Sequence, residues 1–511
     1  MKLLSRSLCT LILCMFFPFA FAQQSGKFAN TPMGIDDARF FLERTGFASA
    51  ERDVMQYAGL NRRQAVERVL AQEAAGAQTL EPSWVAQPIT PPRDLKSMND
   101  DERKAYREQQ IRQAFELRGW WLHEMLTTPS PLSERMTLFW HNHFVSSQQK
   151  VHYTQLMYRQ NLLLRRNALG NFGSMLHEVS RDPAMLIYLD GAKNRKGAPN
   201  ENFAREVMEL FTLGEGHYSE QDIKEAARAY TGWSIDPENG EYKWRPFAHD
   251  DGIKTVLGKS GNFNGDDVLD ILLAQPACAE FIVGKLWREF VSPDPDPVEV
   301  KRIAARFRDS GYEIKVALRE LFLSPAFWSA KNRATLVKSP VELVVGTLRQ
   351  FDFGYDDPLP FTFAVAQLGQ NLFDPPNVKG WPGGDDWINS STLLARKSVL
   401  ERLFRAIDPA GRPQMAAMRR ETQELGKVKG QGALREEGRI RFANVVSMIA
   451  FDPESWLRQF GAQTDTAPDV AQRLAIQKAV LPLEPSVPIR ADLAGVAYLR
   501  TLVMDPTYQL K

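Results

Sequence analysis

Two histidines stand two residues apart in the segment Trp140-His141-Asn142-His143-Phe144, and histidine is both a common metal ligand and a general base. Ser130-Pro131 predicts a capped helix start upstream. On a continuous helix the two rings would point about 200° apart, so they could bind one metal ion only where the backbone is extended or turning. Two interpretations stay open: a metal-binding or proton-transfer pair, or a core-facing His143 bonded to a carbonyl with His141 at a helix end.

A second segment, from Asn200 to Gly214, places polar side chains beside an apolar helical stripe. Asn202, Arg205 and Glu206 lie on the polar side of this predicted helix. A surface helix would hold Arg205 between glutamates at helical spacing. A pocket-lining helix would instead project its carboxylates inward, as in the metal sites of helical bundles. Because the segment has no histidine, spacing alone leaves both interpretations open.

Two loops supply the remaining candidates. Trp233 follows a predicted helix end, and His249-Asp250-Asp251-Gly252 is a dense polar cluster. Loops on a rigid scaffold commonly carry binding residues, but these aspartates could equally form an Asx turn. Trp381, in the Gly- and Pro-rich stretch 374–391, could stack on a sugar ring or a peptide, or could anchor its loop to the core.

Apolar residues recur mostly at helical spacing, so we predict an all-α fold with long irregular loops and little or no sheet. The periodicity predicts one long helix around residues 111–126 and two more on either side of Gly311. The prolines of 81–97 predict an extended connection. We divide the chain into a signal peptide (1–22), a helical domain (23–405) and a helical C-terminal part with a charged connection (406–511).

The N-terminus has the three parts of a secretory signal peptide. Lys2 and Arg6 precede an apolar run that is too short to span a membrane, and Ala20-Phe21-Ala22 is a cleavage motif. We therefore expect a periplasmic or secreted protein without a membrane span after signal removal. Only Cys278 remains in the mature chain, which excludes an internal disulfide. A chain of this length does not need one for stability.

The charge balance argues against a nucleic-acid partner. Lysine and arginine number 63 against 62 aspartates and glutamates, whereas nucleic-acid binders usually carry a strong basic excess. The most basic stretch, 412–441, is interleaved with glutamates, which is typical of a solvated helix face or a connection.

Longer phrases of the sequence resemble a bacterial family of unknown function, DUF1800. The phrases are ERMTLFWHNHF, NENFAREVMELFTLG, AYTGW, HDDGIK and PPNVKGWP, in that order. The resemblance covers roughly residues 34 to 400. It implies an exported helical protein that is frequently encoded beside a sulfatase-like exported protein, and it assigns no catalytic residue.

These features are compatible with two functions. The first is a metal-assisted hydrolase of periplasmic or extracellular material. In it, His141 and His143 would bind a divalent metal ion, Glu206, His249 and Asp250 would be catalytic, and Asn202, Arg205, Trp233 and Trp381 would contact substrate. At least one of the two histidines should then lie close to Glu206 or to the His249-Asp250 pair. The second is a non-catalytic partner or scaffold for another exported protein, such as the sulfatase-like one.

The exported protein should begin at Gln23, because the cleavage motif ends at Ala22. Mass spectrometry of the mature protein should show a chain that lacks residues 1–22. Retention of Met1 in the exported form would contradict this prediction.

Overall fold

A computed structural model describes residues 28–73, 76–407 and 449–511. The predicted signal peptide, the basic stretch 412–441 and nearly all of the charged connection lie outside the described residues. α-Helices dominate the three described segments, and their strands form two small antiparallel sheets of two strands each. The prediction of a mostly helical fold with little sheet is confirmed.

Helices follow one another with short connections along most of the described chain. Those before the first strand are α1 (Ile35–Thr45), α2 (Glu51–Tyr57), α3 (Arg62–Ala71), α4 (Pro92–Ser97), α5 (Asp100–Thr127), α6 (Pro131–His143), α7 (Gln148–Val151), α8 (Thr154–Arg166), α9 (Phe172–Ser180), α10 (Pro183–Tyr188), α11 (Glu201–Glu206) and α12 (Glu220–Ala229). The later ones are α13 (Gly265–Leu273), α14 (Pro276–Phe290), α15 (Pro297–Asp309), α16 (Ile314–Phe322), α17 (Pro325–Trp328), α18 (Pro340–Gln350), α19 (Leu359–Gln367), α20 (Ser390–Ile407), α21 (Pro453–Arg458), α22 (Val470–Val480) and α23 (Gly495–Val503). The predicted long helix is α5, and the predicted pair around Gly311 is α15 and α16.

The strands lie between α12 and α13 and form two hairpins. They are β1 (Trp233–Ile235), β2 (Tyr242–Trp244), β3 (Lys254–Val256) and β4 (Lys259–Gly261). β1 pairs with β2 and β3 pairs with β4. Gly232 enters β1 with a φ of +88°, and a Cβ there would meet both the Trp244 ring and the Arg245 carbonyl. Glycine is therefore required at this helix end, as the hairpin passes directly over it.

Two hydrophobic cores divide the fold, and α6 and α8 run between them. Met136 and Trp140 of α6 belong to the first core, whereas Leu138 of the same helix belongs to the second. The first core takes in α1–α3 and most of α9–α17, and the second takes in α5, α18–α20 and the C-terminal helices. A helix enclosed on both sides must satisfy its polar side chains inside the protein.

Glu134 of α6 and Arg165 of α8 form an ion pair in which both side chains are fully buried. Arg165 Nε lies 2.5 Å from Glu134 Oε1, and Trp121 Nε1 on α5 donates to Glu134 Oε2 at 3.0 Å. Asn161 accepts a further hydrogen bond from Arg165 at 2.6 Å. This one carboxylate therefore joins α5, α6 and α8.

Two local expectations are wrong. Ser130 does not cap α6 with its side chain, so Pro131, whose missing N–H needs no partner at a first helical position, marks the start alone. The stretch 81–97 is not simply extended: Ser83–Ala86 forms a 3-10 turn with Trp84 buried, and α4 occupies its end. Pro92 at the start of α4 is preorganised for a helix, which explains the difference.

The C-terminal segment packs into the second core. Val337 and Leu510 form an antiparallel bridge, and Lys338 N donates to Gln509 O at 2.8 Å. α23 packs against α20, and α22 contacts α1. Across the three described segments, every helix is too short or too polar to cross a membrane.

Replacing Arg165 with methionine should destabilise the protein by about 3–5 kcal/mol, because Glu134 would keep a buried charge without its partner. The matched control is Arg166→Met, which breaks an ion pair to Glu178 with side chains 58% and 41% exposed and should cost less than about 1 kcal/mol. Urea unfolding followed by circular dichroism measures both losses. Equal losses would contradict the buried assignment of Arg165.

Candidate functional site

A cavity of about 490 Å³ lies where α6, α14 and the loop 374–387 meet. Phe139, Trp381 and Trp387 form the aromatic part of its wall. Its polar lining side chains include Arg135, Asn142, His143, Lys285, Arg288, Glu289, Glu342, Gln370, Lys379 and Lys511. The cavity therefore contains one of the two predicted histidines and one of the two tryptophans predicted to bind substrate.

The ring of His143 is bonded through both nitrogens. Nε2 lies 3.1 Å from the carbonyl oxygen of Phe211, so Nε2 carries the hydrogen and donates it. Nδ1 is then an acceptor, and it receives a hydrogen bond from Lys285 Nζ at 2.9 Å. Burial and the charge of Lys285 hold the pKa of His143 well below its ordinary value, so the ring is neutral. His143 is thus bonded to a carbonyl, as one of the two interpretations expected, although His141 lies within the helix and not at its end.

The Phe211 carbonyl belongs to a π-helical turn, Val207–Thr212, that continues α11. Within it Leu213 N donates to Met208 O at 2.9 Å, a bond that spans five residues. Carbonyls in the last turn of a helix lack partners along the helix, so Phe211 can accept from His143. No sequence pattern predicted this turn. π turns are frequent at functional sites.

Lys285 lies at the margin of the buried face of α14 and is part of the cavity wall. Its Nζ is 5.0 Å from the centre of the Phe281 ring, four residues earlier on the helix. Burial, reinforced by the nearby charge of Arg288, lowers the pKa of Lys285 to about 8. An appreciable share of this amine is therefore neutral at mildly alkaline pH, where an exposed lysine would be fully charged.

A buried ion network closes one side of the cavity. Arg135 Nε donates to Glu289 Oε1 at 2.7 Å, and the Arg135 guanidinium also contacts Glu342. Lys511 Nζ donates to the same Glu342 carboxylate. Burial opposes charge on Glu342, but Arg135 and Lys511 hold its pKa well below the ordinary value. These two cations and two carboxylates compensate one another.

Asn142 fixes the loop that carries the tryptophans. Its Oδ1 accepts a hydrogen bond from Trp381 N at 2.7 Å. Gly380, with a φ of +91°, passes so close that a Cβ there would collide with Asn142. Trp381 and Trp387 are 4% and 6% exposed, so both serve as loop anchors. They are nevertheless part of the cavity wall.

His141 points to the other side of α6 from His143, as helical geometry predicts. Its ring packs edge-on against Trp121 and Phe373 and is tilted against Trp381, with centroid distances of 5.2, 5.3 and 5.6 Å. Neither ring nitrogen has a hydrogen-bond partner within the described part of the chain. Burial alone lowers the pKa of His141 to about 3. The two histidines therefore do not share a site.

The polar residues of α11 lie at or beyond the margin of this cavity. Burial and the charge of Glu209 raise the pKa of Glu206. The positive charge of Lys379, which lines the cavity, lowers it in part. Arg205 is bonded to Glu220 at 2.7 and 2.8 Å rather than to Glu209. Asn202, which is exposed, donates to the carbonyl of Leu189 at 3.1 Å. The surface-helix interpretation therefore describes Arg205 and Asn202.

The His249-Asp250 pair is engaged elsewhere. His249 Nδ1 donates to Thr231 O at 2.8 Å, and Asp250 accepts two hydrogen bonds from Arg228, at 2.9 and 3.1 Å. Arg228 lowers the pKa of Asp250 to about 2. Asp250 Oδ1 also accepts from Gly252 N at 2.9 Å, which is the Asx turn considered above. Trp233 is buried against Phe203 and Tyr230, outside the cavity lining.

The two predicted metal ligands and the three predicted catalytic residues are thus distributed over separate places. Neither histidine is bonded to Glu206, His249 or Asp250. Within residues 28–73, 76–407 and 449–511, no three His, Cys, Asp or Glu side chains are grouped so that they could hold a metal ion. The histidine segment was expected to meet residues 200–214 or the loop at His249. Among the described residues, the contact found is the one between His143 and the carbonyl of Phe211.

Lys285, Arg288 and Lys379 were missed by the sequence analysis. Lys285 lies at the margin of the buried face of α14, a position that does not distinguish it from an ordinary surface lysine. Arg288 and Lys379 are exposed and have the spacing of ordinary surface charges, so only the fold brings them together.

The free energy of unfolding should decrease as the pH falls from about 6.5, in part through His141. The unfolded chain binds a proton on this imidazole below its ordinary pKa of about 6.5, whereas the folded protein keeps it neutral down to a pH of about 3. His141→Leu should therefore make the decrease shallower by about 1.4 kcal/mol per pH unit between about pH 5.5 and 3.5.

Urea unfolding at a series of pH values measures this slope. His217→Leu, which removes an exposed histidine, is the control and should leave the slope unchanged. Identical slopes for the wild type and His141→Leu would show that His141 is protonated in the folded protein.

Family comparison extends the resemblance to nearly the whole chain. The family model described as "Protein of unknown function (DUF1800)" matches residues 40–510. This range includes α6, α14 and the loop 374–387, which together form the cavity. Neither a curated protein nor a solved structure matches the chain. The chain belongs to the DUF1800 family.

Proposed function

We propose that this protein is a hydrolase acting outside the cytoplasm, in which Lys285 transfers protons within the cavity between α6 and α14. The observation that carries the proposal is the 2.9 Å hydrogen bond from Lys285 to a neutral, buried His143 in the cavity wall. Burial lowers the pKa of Lys285 to about 8. An amine with such a pKa is suited to general acid–base catalysis near neutral pH. The location outside the cytoplasm rests on the predicted signal peptide.

His143 would act as the positioning residue for this amine. Its Nε2–H is held by the Phe211 carbonyl, which fixes the tautomer and leaves Nδ1 as an acceptor. A neutral Lys285 that donates one hydrogen to Nδ1 keeps its lone pair free for a proton from water. Lys285 would take that proton as the water oxygen attacks the substrate and return it to the leaving group.

A metal-assisted version of this reaction has no supporting donor set among the described residues. Both ring nitrogens of His143 are hydrogen-bonded, one to the Phe211 carbonyl and the other to Lys285. His141 lies on the opposite side of α6, packed against aromatic rings. We therefore assign the proton transfer to the amine and derive no step through a metal.

The reactivity of Lys285 tests the proposal. Only neutral amines react with acetic anhydride, so the pH profile of acetylation at each lysine, resolved by mass spectrometry, reports its pKa. Lys285 should reach half-maximal reactivity near pH 8, about two units below the ordinary lysine value. Lys301 is exposed on α15 and serves as the internal reference.

A matched pair of variants separates the local cause from a general effect. Arg288→Gln removes a like charge beside Lys285 and should raise its midpoint, whereas Arg306→Gln, an exposed arginine on α15, should not. A Lys285 midpoint equal to that of Lys301 would remove the basis for the enzyme proposal.

A second candidate function is supported by polar residues of the sequence motifs that form ion pairs within the protein. Asp250 is bonded to Arg228 and Arg205 to Glu220, so these residues stabilise the fold. Such use suits a non-catalytic partner or scaffold for another exported protein, with a sulfatase-like protein as the proposed partner. An ordinary midpoint for Lys285 would favour this second function.

A further inference from the structure

The side-chain charges that line the cavity fall into a balanced group and an unbalanced one. Arg135 and Lys511 are paired with Glu289 and Glu342, which leaves no net charge in that group. The main-chain oxygen of Lys511 is itself bound by Arg44, at 3.0 Å. The two carboxylates of this group are therefore matched by its two cations.

The unbalanced group consists of Lys285, Arg288 and Lys379. Lys285 donates to His143, which is neutral and offers no compensating charge. Arg288 is exposed and has no ion pair to any residue in the described ranges. Lys379 lies 3.9 Å from Glu215, but the two side chains are 69% and 75% exposed, so water screens the pair. The side chains that line the cavity thus include three cationic groups more than carboxylates, and Glu206 and Glu215, which act on Lys379, lie outside that lining.

An unused donor lies in the same wall. Trp381 is 4% exposed, and its Nε1 has no acceptor among the residues that the structure describes. A buried N–H group without an acceptor is uncommon in proteins and calls for an explanation. This N–H has almost no accessible surface, so it faces the protein interior and adds no contact to a ligand in the cavity.

We infer that the cavity binds a ligand through an anionic oxygen group, a carboxylate, sulfate or phosphate, held by Lys285, Arg288 and Lys379. The inference names the substrate class of the site in the proposed function, and it rests on that function. Arginine presents a planar fork of donors that matches such oxygens, and lysine adds a compact charge. The tryptophan wall would contact the uncharged remainder of the ligand.

Protection of Lys285 from acetylation tests the inference. Sodium sulfate, sodium phosphate and sodium acetate are each titrated against the full-length mature protein, with sodium chloride at equal ionic strength as reference. A bound anion covers the amine and favours its protonated form, so at least one of the three salts should slow Lys285 acetylation at least about fivefold and saturably. The salt that acts at the lowest concentration identifies the oxygen group.

Variants assign the effect to the cavity. Arg288→Gln and Lys379→Gln should each weaken the apparent affinity by about tenfold, as expected for loss of one charge-assisted contact. Arg306→Gln, outside the cavity, should leave it unchanged. Protection no stronger than that by sodium chloride, or protection retained in both cavity variants, would overturn the inference.

A second measurement keeps this result separate from the proposed function. The rise in thermal midpoint with the same salts reports anion binding whatever the pKa of Lys285. A rise in the thermal midpoint that Arg288→Gln abolishes would support the anion site, whatever the pKa of Lys285. If Lys285 then titrates as an ordinary lysine, the proton-transfer role alone would be overturned. A shift that Arg306→Gln reduces equally would overturn the anion site.

Discussion

Burial of α6 between two hydrophobic cores is the constraint on which the rest of the structure depends. A helix exposed to water can leave its polar side chains to the solvent, but α6 cannot. Glu134 and Arg135 are consecutive and point to different neighbours, so one is bound by α8 and the other by α14 and α18. The positions of these helices around α6 are therefore fixed by charge compensation as well as by apolar packing.

The two histidines of α6 show how one sequence feature can lead to two physical outcomes. Both are buried and neutral, yet His143 is bonded at each nitrogen whereas His141 contacts only aromatic rings. The difference arises because the helix continues to residue 143 and turns the rings toward different cores. A polar residue type alone therefore did not identify the site; its partners did.

Sequence periodicity predicted the helical class of the fold, several individual helices and the divergence of the two histidines, since these follow from local geometry. The cavity could not be predicted in the same way, because Lys285 meets His143 across 142 residues. Pairing of Arg135 with Glu342 and Lys511 likewise depends on the complete fold. Lys285 lies at the margin of the buried face of its helix, where a lysine usually extends its amine to the surface, so its position in the sequence did not identify it.

The π turn at Val207–Thr212 connects α11 to the carbonyl that binds His143. Its hydrogen bonds span five residues, one more than those of an α-helix. A π turn accommodates more residues per turn than an α turn, and each residue of an α-helix adds about 100° of rotation. Loss of a single residue here would let the chain wind as a regular α-helix and would leave Phe203 and Glu206 in nearly their present orientation, because the wider turn is what absorbs the additional residue. Homologous chains are thus expected to differ by one residue within this turn without a change in the orientation of α11 relative to the cavity.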